Sequence, residues 1–178
     1  VDQHRTQGGD KGRQLHDRNH ETVDGSHQQA YQDRHDHSNK HRGIQSFPRE
    51  LNRLYLRTPG LWKEDHSWEG FTWLDADNYQ QNVLVFSRQA GPDAGKFVCV
   101  LNFSPYTREN FKVGVPYAGL WGEALNSDDS RFGGTGAVNP HSLRSVPEPM
   151  HGCPESVSMT LPPLSAVVLR CVRRRKAK

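Results

Sequence analysis

The first 43 residues of the sequence contain very few apolar side chains. Hydrophobic residues make up 33% of the whole chain, and no Trp or Phe precedes Phe47. A segment this poor in apolar surface cannot bury enough of it to offset the entropy lost on ordering. We therefore predict that residues 1–43 form a disordered or foreign tail. The clearly apolar residues of that segment are Val1, Leu15, Val23, Ala30 and Tyr31.

Long apolar runs and paired cysteines are also missing. No run of about 18 apolar residues occurs, and the N-terminal residues lack the apolar core of a signal peptide, so we expect no membrane partner. Cys99, Cys153 and Cys171 are odd in number and irregularly spaced, which argues against a disulfide framework and for a reducing compartment. We expect a cytoplasmic protein.

The chain is too short for a barrel enzyme. Its 178 residues suffice for one domain with an ordinary core, whereas a (β/α)₈ barrel alone takes about 250 residues. The net charge of +3 is small and indicates no particular partner.

One amphipathic helix is predicted over residues 44–58. Its apolar residues recur at spacings of three and four, which places them along one stripe. Ser46 is the predicted N-cap, and Pro48 fits a first turn, where a missing N–H costs nothing. The stripe must pack on the following sheet or on another domain. It consists of Ile44, Phe47, Leu51, Leu54 and Tyr55.

Residues 70–172 are predicted to form an antiparallel β-sandwich of about seven to eight strands. Apolar residues alternate in short segments separated by Gly and Pro turns, as in sandwich proteins. Residues 97–103 are apolar on both faces, which predicts a central strand covered on both sides. Residues 128–156 show little periodicity, and we expect them to lie over the surface and to contact another domain. The seven predicted strands begin near Phe71, Asn82, Phe97, Phe111, Leu120, Val157 and Ala166.

Several separate blocks resemble one enzyme family, in the right order from residue 43 to residue 171. Any one of them alone would be shared by many amylase-like enzymes, but together they are similar to the end of bacterial glycogen (1,4-α-glucan) branching enzymes. The blocks are Asn52–Tyr55 (NRLY), Pro59–Leu61 (PGL), Gly70–Leu74 (GFTWL), Asn82–Arg88 (NVLVFSR), Val98–Pro105 (VCVLNFSP), Gly114–Pro116 (GVP), Gly119–Asp128 (GLWGEALNSD), Phe132–Gly134 (FGG) and Leu161–Leu164 (LPPL).

The resemblance implies that the chain corresponds to one domain of a larger enzyme whose catalytic residues lie in another domain. Members carry a catalytic barrel that cleaves an α-1,4 linkage and forms an α-1,6 linkage with a pair of carboxyl groups, followed by a C-terminal all-β domain. The matched region begins after those carboxyl groups, so no catalytic residue can be assigned in this chain. Residues 44–58 correspond to the last barrel helix, and residues 1–43 depart from the family. We expect a non-catalytic fragment whose partner is the missing barrel; the alternative is a free-standing α-glucan-binding module.

Two kinds of polar cluster have the residue types of functional sites, but we predict no chemical role for either. His35, His37 and His41 have the close spacing of metal ligands, but nothing apolar nearby would hold them in fixed geometry. The pairs Asp75 with Asp77, and Asp128 with Asp129, lie at predicted strand ends or turns, where Asp is common without any catalytic role. We predict no metal site, no cofactor and no catalytic residue.

The aromatic residues divide by their predicted setting. Trp73 and Trp121 occur in alternating strands and are predicted to pack in the core. Trp68 and Tyr117 lie in loop-like sequence and are the candidate glucan contacts, since a flat apolar ring matches a pyranose face. Other aromatic residues would have faced the barrel, which predicts an exposed apolar patch.

The remaining motifs indicate no chemistry. Cys99 is predicted to be a small core residue without a catalytic partner. The basic tail, residues 173–178, lacks interleaved aromatic residues and is predicted to be a solvated terminus, with no nucleic-acid partner. Residues 133–136 contain three glycines but lack the Lys that a phosphate loop requires.

Overall fold

A computed structural model of the chain describes residues 28–29, 32, 41–91 and 95–175. The chain divides into two compact units, Val1–His41 and Arg42–Lys178. Residues 28, 29 and 32 are helical. The predicted disorder of residues 1–43 falls mostly on residues outside the described part, and the second unit contains the fold considered below.

Helix α1 covers residues 41–57 and therefore begins earlier than predicted. Ser46 is not the N-cap: its hydroxyl oxygen lies 2.9 Å from the carbonyl oxygens of both Arg42 and Gly43, one turn back in the helix. A Ser hydroxyl inside a helix can bond back to such a carbonyl instead of capping. Pro48 consequently lies in the helix interior and not in its first turn. None of the described helices is long and apolar enough to cross a membrane.

The described part of the second unit contains eight β-strands in two antiparallel sheets, so the predicted all-β sandwich is confirmed. The larger sheet has six strands in the order β1-β2-β3-β8-β5-β6, and the smaller pairs β4 with β7. The strands are β1 Phe71–Asn78, β2 Val83–Gln89, β3 Lys96–Asn102, β4 Arg108–Val115, β5 Gly119–Asn126, β6 Leu143–Arg144, β7 Glu155–Leu161 and β8 Ser165–Arg174.

The hydrophobic core lies between the two sheets. Side chains alternate across a strand, so one face of each strand points inward. Trp121 on β5 is fully buried there, as predicted, and is the largest side chain in the core. Around it pack inward-facing residues of both sheets, mainly valines, whose branched side chains suit a pleated surface. The buried cluster includes Val83, Val85, Val98, Val100, Phe111, Val113, Val115, Val157, Met159, Leu161, Val167 and Leu169.

Strand β3 is central, as predicted, with β2 on one side and β8 on the other. Cys99 lies on its outer face, opposite the sandwich core, between Phe86 and Val168 of the neighbouring strands. Burial raises the pKa of its thiol to about 12, and the nearby Arg88 only partly opposes that shift. Cys99 is therefore a small packing residue, and its reactive thiolate form is suppressed at neutral pH.

The long segment after β5 is ordered by side-chain hydrogen bonds to the backbone. The Asp128 carboxylate accepts from the backbone N–H groups of Thr135 (3.0 Å) and Ala137 (3.1 Å). The Asn139 side chain exchanges two hydrogen bonds of 2.7 Å with the backbone of Thr160 and so fastens the segment to β7. The two-residue strand β6 was not predicted. It pairs with β5 and closes the edge of the large sheet.

Candidate functional surface

Three of the four acidic residues considered above have structural partners, whereas Asp77 is exposed and its side chain contacts no described residue. Asp129 caps the 3₁₀ turn Ser130–Phe132 by accepting from the backbone N–H of Arg131, and the Arg131 guanidinium lowers the pKa of its carboxyl. The Asp128 carboxylate accepts the backbone hydrogen bonds that order the segment after β5. Asp75 on β1 accepts from the Asn78 amide (2.9 Å) and lies 3.6 Å from His151. These contacts give each of the three carboxylates a structural role.

His151 is half-buried and joins the segment before β7 to two strands. Its Nδ1 accepts from the backbone N–H of Gly114 on β4 (3.3 Å), and its Nε2 faces the Asp75 carboxylate on β1. Burial lowers the pKa of the imidazole, and the Asp75 charge opposes that shift. A neutral imidazole that accepts at Nδ1 carries its proton on Nε2, which points it at Asp75.

The described residues contain no group of three or more His, Cys, Asp or Glu side chains that could hold a metal ion. His35 and His37, considered above as ligands, lie outside the described residues. The three cysteines are free.

An aromatic cluster covers the outer face of the large sheet at its β1 edge. Phe71 stacks on Phe86 (ring centroids 5.2 Å apart) and meets Trp73 edge-on (4.9 Å). The Trp73 ring also contacts Phe86 at 5.8 Å. The prediction that Trp73 packs in the core is wrong, because its side chain is 53% exposed. It lies on the first strand of the sheet, on the face opposite the sandwich core, where no described element covers it fully.

Helix α1 leaves most of its apolar stripe uncovered. Phe47 packs edge-on against Phe132 (5.3 Å), and Gly43 lies against the backbone of Phe132, where a Cβ would be 2.5 Å from the carbonyl oxygen. Leu54 of the stripe is half-buried, whereas Ile44, Leu51 and Tyr55 are exposed and Leu56 beside the stripe is 73% exposed. The exposed apolar residues of the helix are Ile44, Leu51, Tyr55 and Leu56.

A series of contacts connects the helix to the aromatic cluster. The Tyr55 hydroxyl donates to the Asp65 carboxylate (2.8 Å), and Asp65 forms an ion pair with Arg88 of β2. The Arg88 guanidinium lies 5.8 Å from the centroid of Phe71 and donates to the carbonyl of Leu61 (2.8 Å). These bonds fix the segment between α1 and β1 across the end of the sheet. We call the exposed set formed by Ile44, Leu51, Tyr55, Leu56, Trp62, Trp68 and Trp73 the helix–strand surface.

The structure separates the two candidate glucan contacts. Trp68 is 92% exposed on the 3₁₀ turn Trp68–Gly70, where its ring is open to a ligand. Tyr117 is half-buried: its ring stacks on Trp121 (5.9 Å), and the Arg174 guanidinium lies 3.8 Å from its centroid. A ring with these partners is a packing element. Glucan contact by either residue stays a prediction.

Sequence reasoning missed parts of this surface. Leu56 lies beside the predicted stripe and was not included in it, and Phe71 and Phe86 were predicted as strand residues without a role. Their alternation along β1 and β2 was the available signal, because it places both on one face of the sheet. The alternation of apolar residues does not show whether another element covers that face of the sheet.

Known proteins are similar to this chain in sequence. The family model described as the alpha amylase C-terminal all-beta domain matches residues 73–172. The 1,4-alpha-glucan branching enzymes GlgB of Bacillus mycoides (strain KBAB4) and Bacillus cereus (strain AH187) are each 43% identical over 136 residues. The match covers 76% of this chain but 21% of each relative, so the chain spans about a fifth of the length of these curated relatives. The chain therefore belongs to the alpha amylase C-terminal all-beta domain family and is homologous to the C-terminal domain of branching enzymes.

Proposed function

We propose that this chain acts as the non-catalytic all-β domain of a 1,4-α-glucan branching enzyme in glycogen biosynthesis, and that it supports a catalytic barrel through the helix–strand surface. The observation that carries the proposal is the exposure of this surface in a chain homologous to a branching-enzyme domain. Large apolar side chains grouped on one exposed surface mark a site of interaction with another protein or domain. Burial of one Leu or Phe side chain is worth about 1.5–3 kcal/mol.

The described carboxylates support a non-catalytic role. Retaining glycoside chemistry requires two carboxyl groups about 5–5.5 Å apart in a cleft that receives the sugar. Asp128 and Asp129 are engaged by their own loop, and Asp75 is engaged by Asn78 and His151. The purified chain is therefore expected to give no change in the iodine absorption spectrum of amylose, which is the readout of branching. Branching by the chain alone would refute this part of the proposal.

A chimera tests the supporting role. Residues 43–175 of this chain replace the matching segment of the Bacillus mycoides relative, and branching is measured by the iodine assay. We expect an active chimera whose activity falls severalfold on Leu56→Lys, because the charge would be forced into the contact with the barrel. The matched control is Leu164→Lys in the turn between β7 and β8, where the leucine is 72% exposed against 73% for Leu56. Equal effects of the two changes would refute docking through the helix.

A second candidate function is α-glucan binding, favoured by the exposed ring of Trp68. It predicts retarded migration of the chain in gels that contain glycogen, and loss of the retardation on Trp68→Ala. Tyr106→Ala is the control, because Tyr106 is also largely exposed but lies between β3 and β4. Unretarded migration of the unmodified chain would leave the supporting role as the sole candidate.

The three free cysteines support a cytoplasmic location.

A further inference from the structure

An arginine-lined groove lies at the end of the large sheet, formed where β5 begins and β8 ends. Its walls are formed by Gly119 and Leu120 of β5, Arg144 of β6, and the run Arg173–Arg175, and its volume is about 420 Å³. Leu120 pairs with Arg144 on one side and with Arg173 on the other, so the two arginines flank one residue of β5. Strand pairing thus brings together guanidinium groups that are far apart in sequence.

Two of the four guanidinium groups are held in place by neighbours. The Arg174 guanidinium lies 3.8 Å from the centroid of the Tyr117 ring. Arg175 donates to the carboxylate of Glu155 (3.3 Å), a buried residue. Glu155 also accepts from the Ser145 hydroxyl (2.7 Å), whose oxygen accepts from the backbone N–H of Gly119 (2.9 Å). Arg174 and Arg175 are therefore held in place before any ligand arrives.

The other two guanidinium groups are unpaired. Arg144 and Arg173 are exposed, and their guanidinium groups form no hydrogen bond or ion pair with a residue that the structure describes. Four arginines line the groove, and the one carboxylate paired with them is that of Glu155, which leaves an excess of three positive charges. Arginine remains charged at every accessible pH and matches the geometry of phosphate oxygens in bidentate contacts.

We propose that this arginine groove binds a small, multiply charged phosphate ester through its phosphate groups, with Arg144 and Arg173 as the main contacts. The volume fits a ligand of this size, since small-molecule sites span roughly 300–1,000 Å³. The Tyr117 ring is engaged by Arg174 and Trp121, so the groove offers no open ring for stacking on a base or a sugar. Recognition is therefore directed at the phosphates, which a nucleoside polyphosphate and a sugar phosphate share.

The charges lie in one place and do not form a track. An extended nucleic acid is held by cations that follow its backbone over many phosphates. Here the four lining arginines come from the end of β8, the residue after it and the two-residue strand β6, which fits a small ligand. The inference does not depend on the supporting role proposed above.

Calorimetric titration of the complete chain tests the proposal. ATP, pyrophosphate and glucose 6-phosphate are titrated separately at an ionic strength of about 0.1 M, where interactions between exposed charges are partly screened. We expect heat-detected binding that the double change Arg144→Gln with Arg173→Gln weakens about tenfold or more, because charge-assisted bonds to phosphate are lost. The single changes Arg173→Gln and Arg170→Gln form the matched comparison: each removes one charge from β8, but Arg170 lies outside the groove.

The three ligands distinguish whether the bound phosphate groups belong to a nucleoside polyphosphate or to a sugar phosphate. Binding of ATP and pyrophosphate without glucose 6-phosphate selects a nucleoside polyphosphate, and the reverse selects a sugar phosphate. Thermal unfolding of each variant shows whether the fold is intact. A single-stranded oligonucleotide is titrated in parallel. Absence of binding by all three ligands, equal weakening by Arg170→Gln and Arg173→Gln, or binding only of the oligonucleotide would each overturn the proposal.

Discussion

Replacement of Asp128 by Ala tests how the segment after β5 is stabilised. The carboxylate is buried and accepts hydrogen bonds from the backbone N–H groups of Thr135 and Ala137 and from the Thr135 hydroxyl. Alanine leaves these donors without an acceptor. A hydrogen bond to a charged group contributes about 1.5–3 kcal/mol, and such bonds to one group are not fully additive. We expect a loss of about 3 kcal/mol in the free energy of unfolding.

This loss is large against the roughly 5–15 kcal/mol by which domains are usually stable. Urea unfolding followed by tryptophan fluorescence measures it, and the midpoint should fall while the slope m stays constant. Asp77→Ala is the control, because Asp77 is exposed on β1 and its side chain contacts no partner among the described residues. Its expected effect is below about 0.5 kcal/mol. A loss under about 1 kcal/mol for Asp128→Ala would refute the ordering of the loop by this carboxylate.

Three further predictions concern packing, backbone and pH. Gly43→Ala should lower the urea midpoint, because the new Cβ would meet the Phe132 carbonyl; a raised midpoint, as expected for Ala in a free helix, would show that the helix is not packed there. Leu164 has a φ of 46°, so Leu164→Asn should raise the stability by up to about 1 kcal/mol, and an unchanged midpoint would contradict that strain. Burial lowers the pKa of His151, so the unfolded chain binds this proton more readily and stability should fall as pH decreases below about 6.5; a His151→Gln variant with the same pH dependence in urea titrations would exclude His151 as its cause.

The sequence determines much of the sandwich through local pattern. The alternation in β2 and β3 predicted both strands, and the apolar residues on both faces of β3 predicted its central position, because a covered face must be apolar. Trp121 was predicted to be buried for the same reason and is fully buried. Strand β6 could not be predicted, since two residues carry no period and their conformation depends on pairing with β5.

The errors arise where position in the fold decides the outcome. Ser46 has the residue type of an N-cap, yet the helix continues through it and its hydroxyl bonds to the preceding turn. Trp73 has the alternation of a core residue, but its strand and face leave it half-exposed. The groove depends on Arg144 and Arg173, which only the order of β6, β5 and β8 brings together. Pattern shows which residues share a face, whereas topology decides what covers that face.

Hydrogen–deuterium exchange tests the central claim most directly. The chain is mixed with a Bacillus mycoides branching enzyme that lacks the segment matching this chain, and backbone exchange is compared with that of the chain alone. We predict slower exchange in residues 50–57 of α1 and in residues 61–73, with no change in β4 and β7. Unaltered exchange over the helix–strand surface, or slowing confined to β4 and β7, would contradict docking of a barrel through this surface.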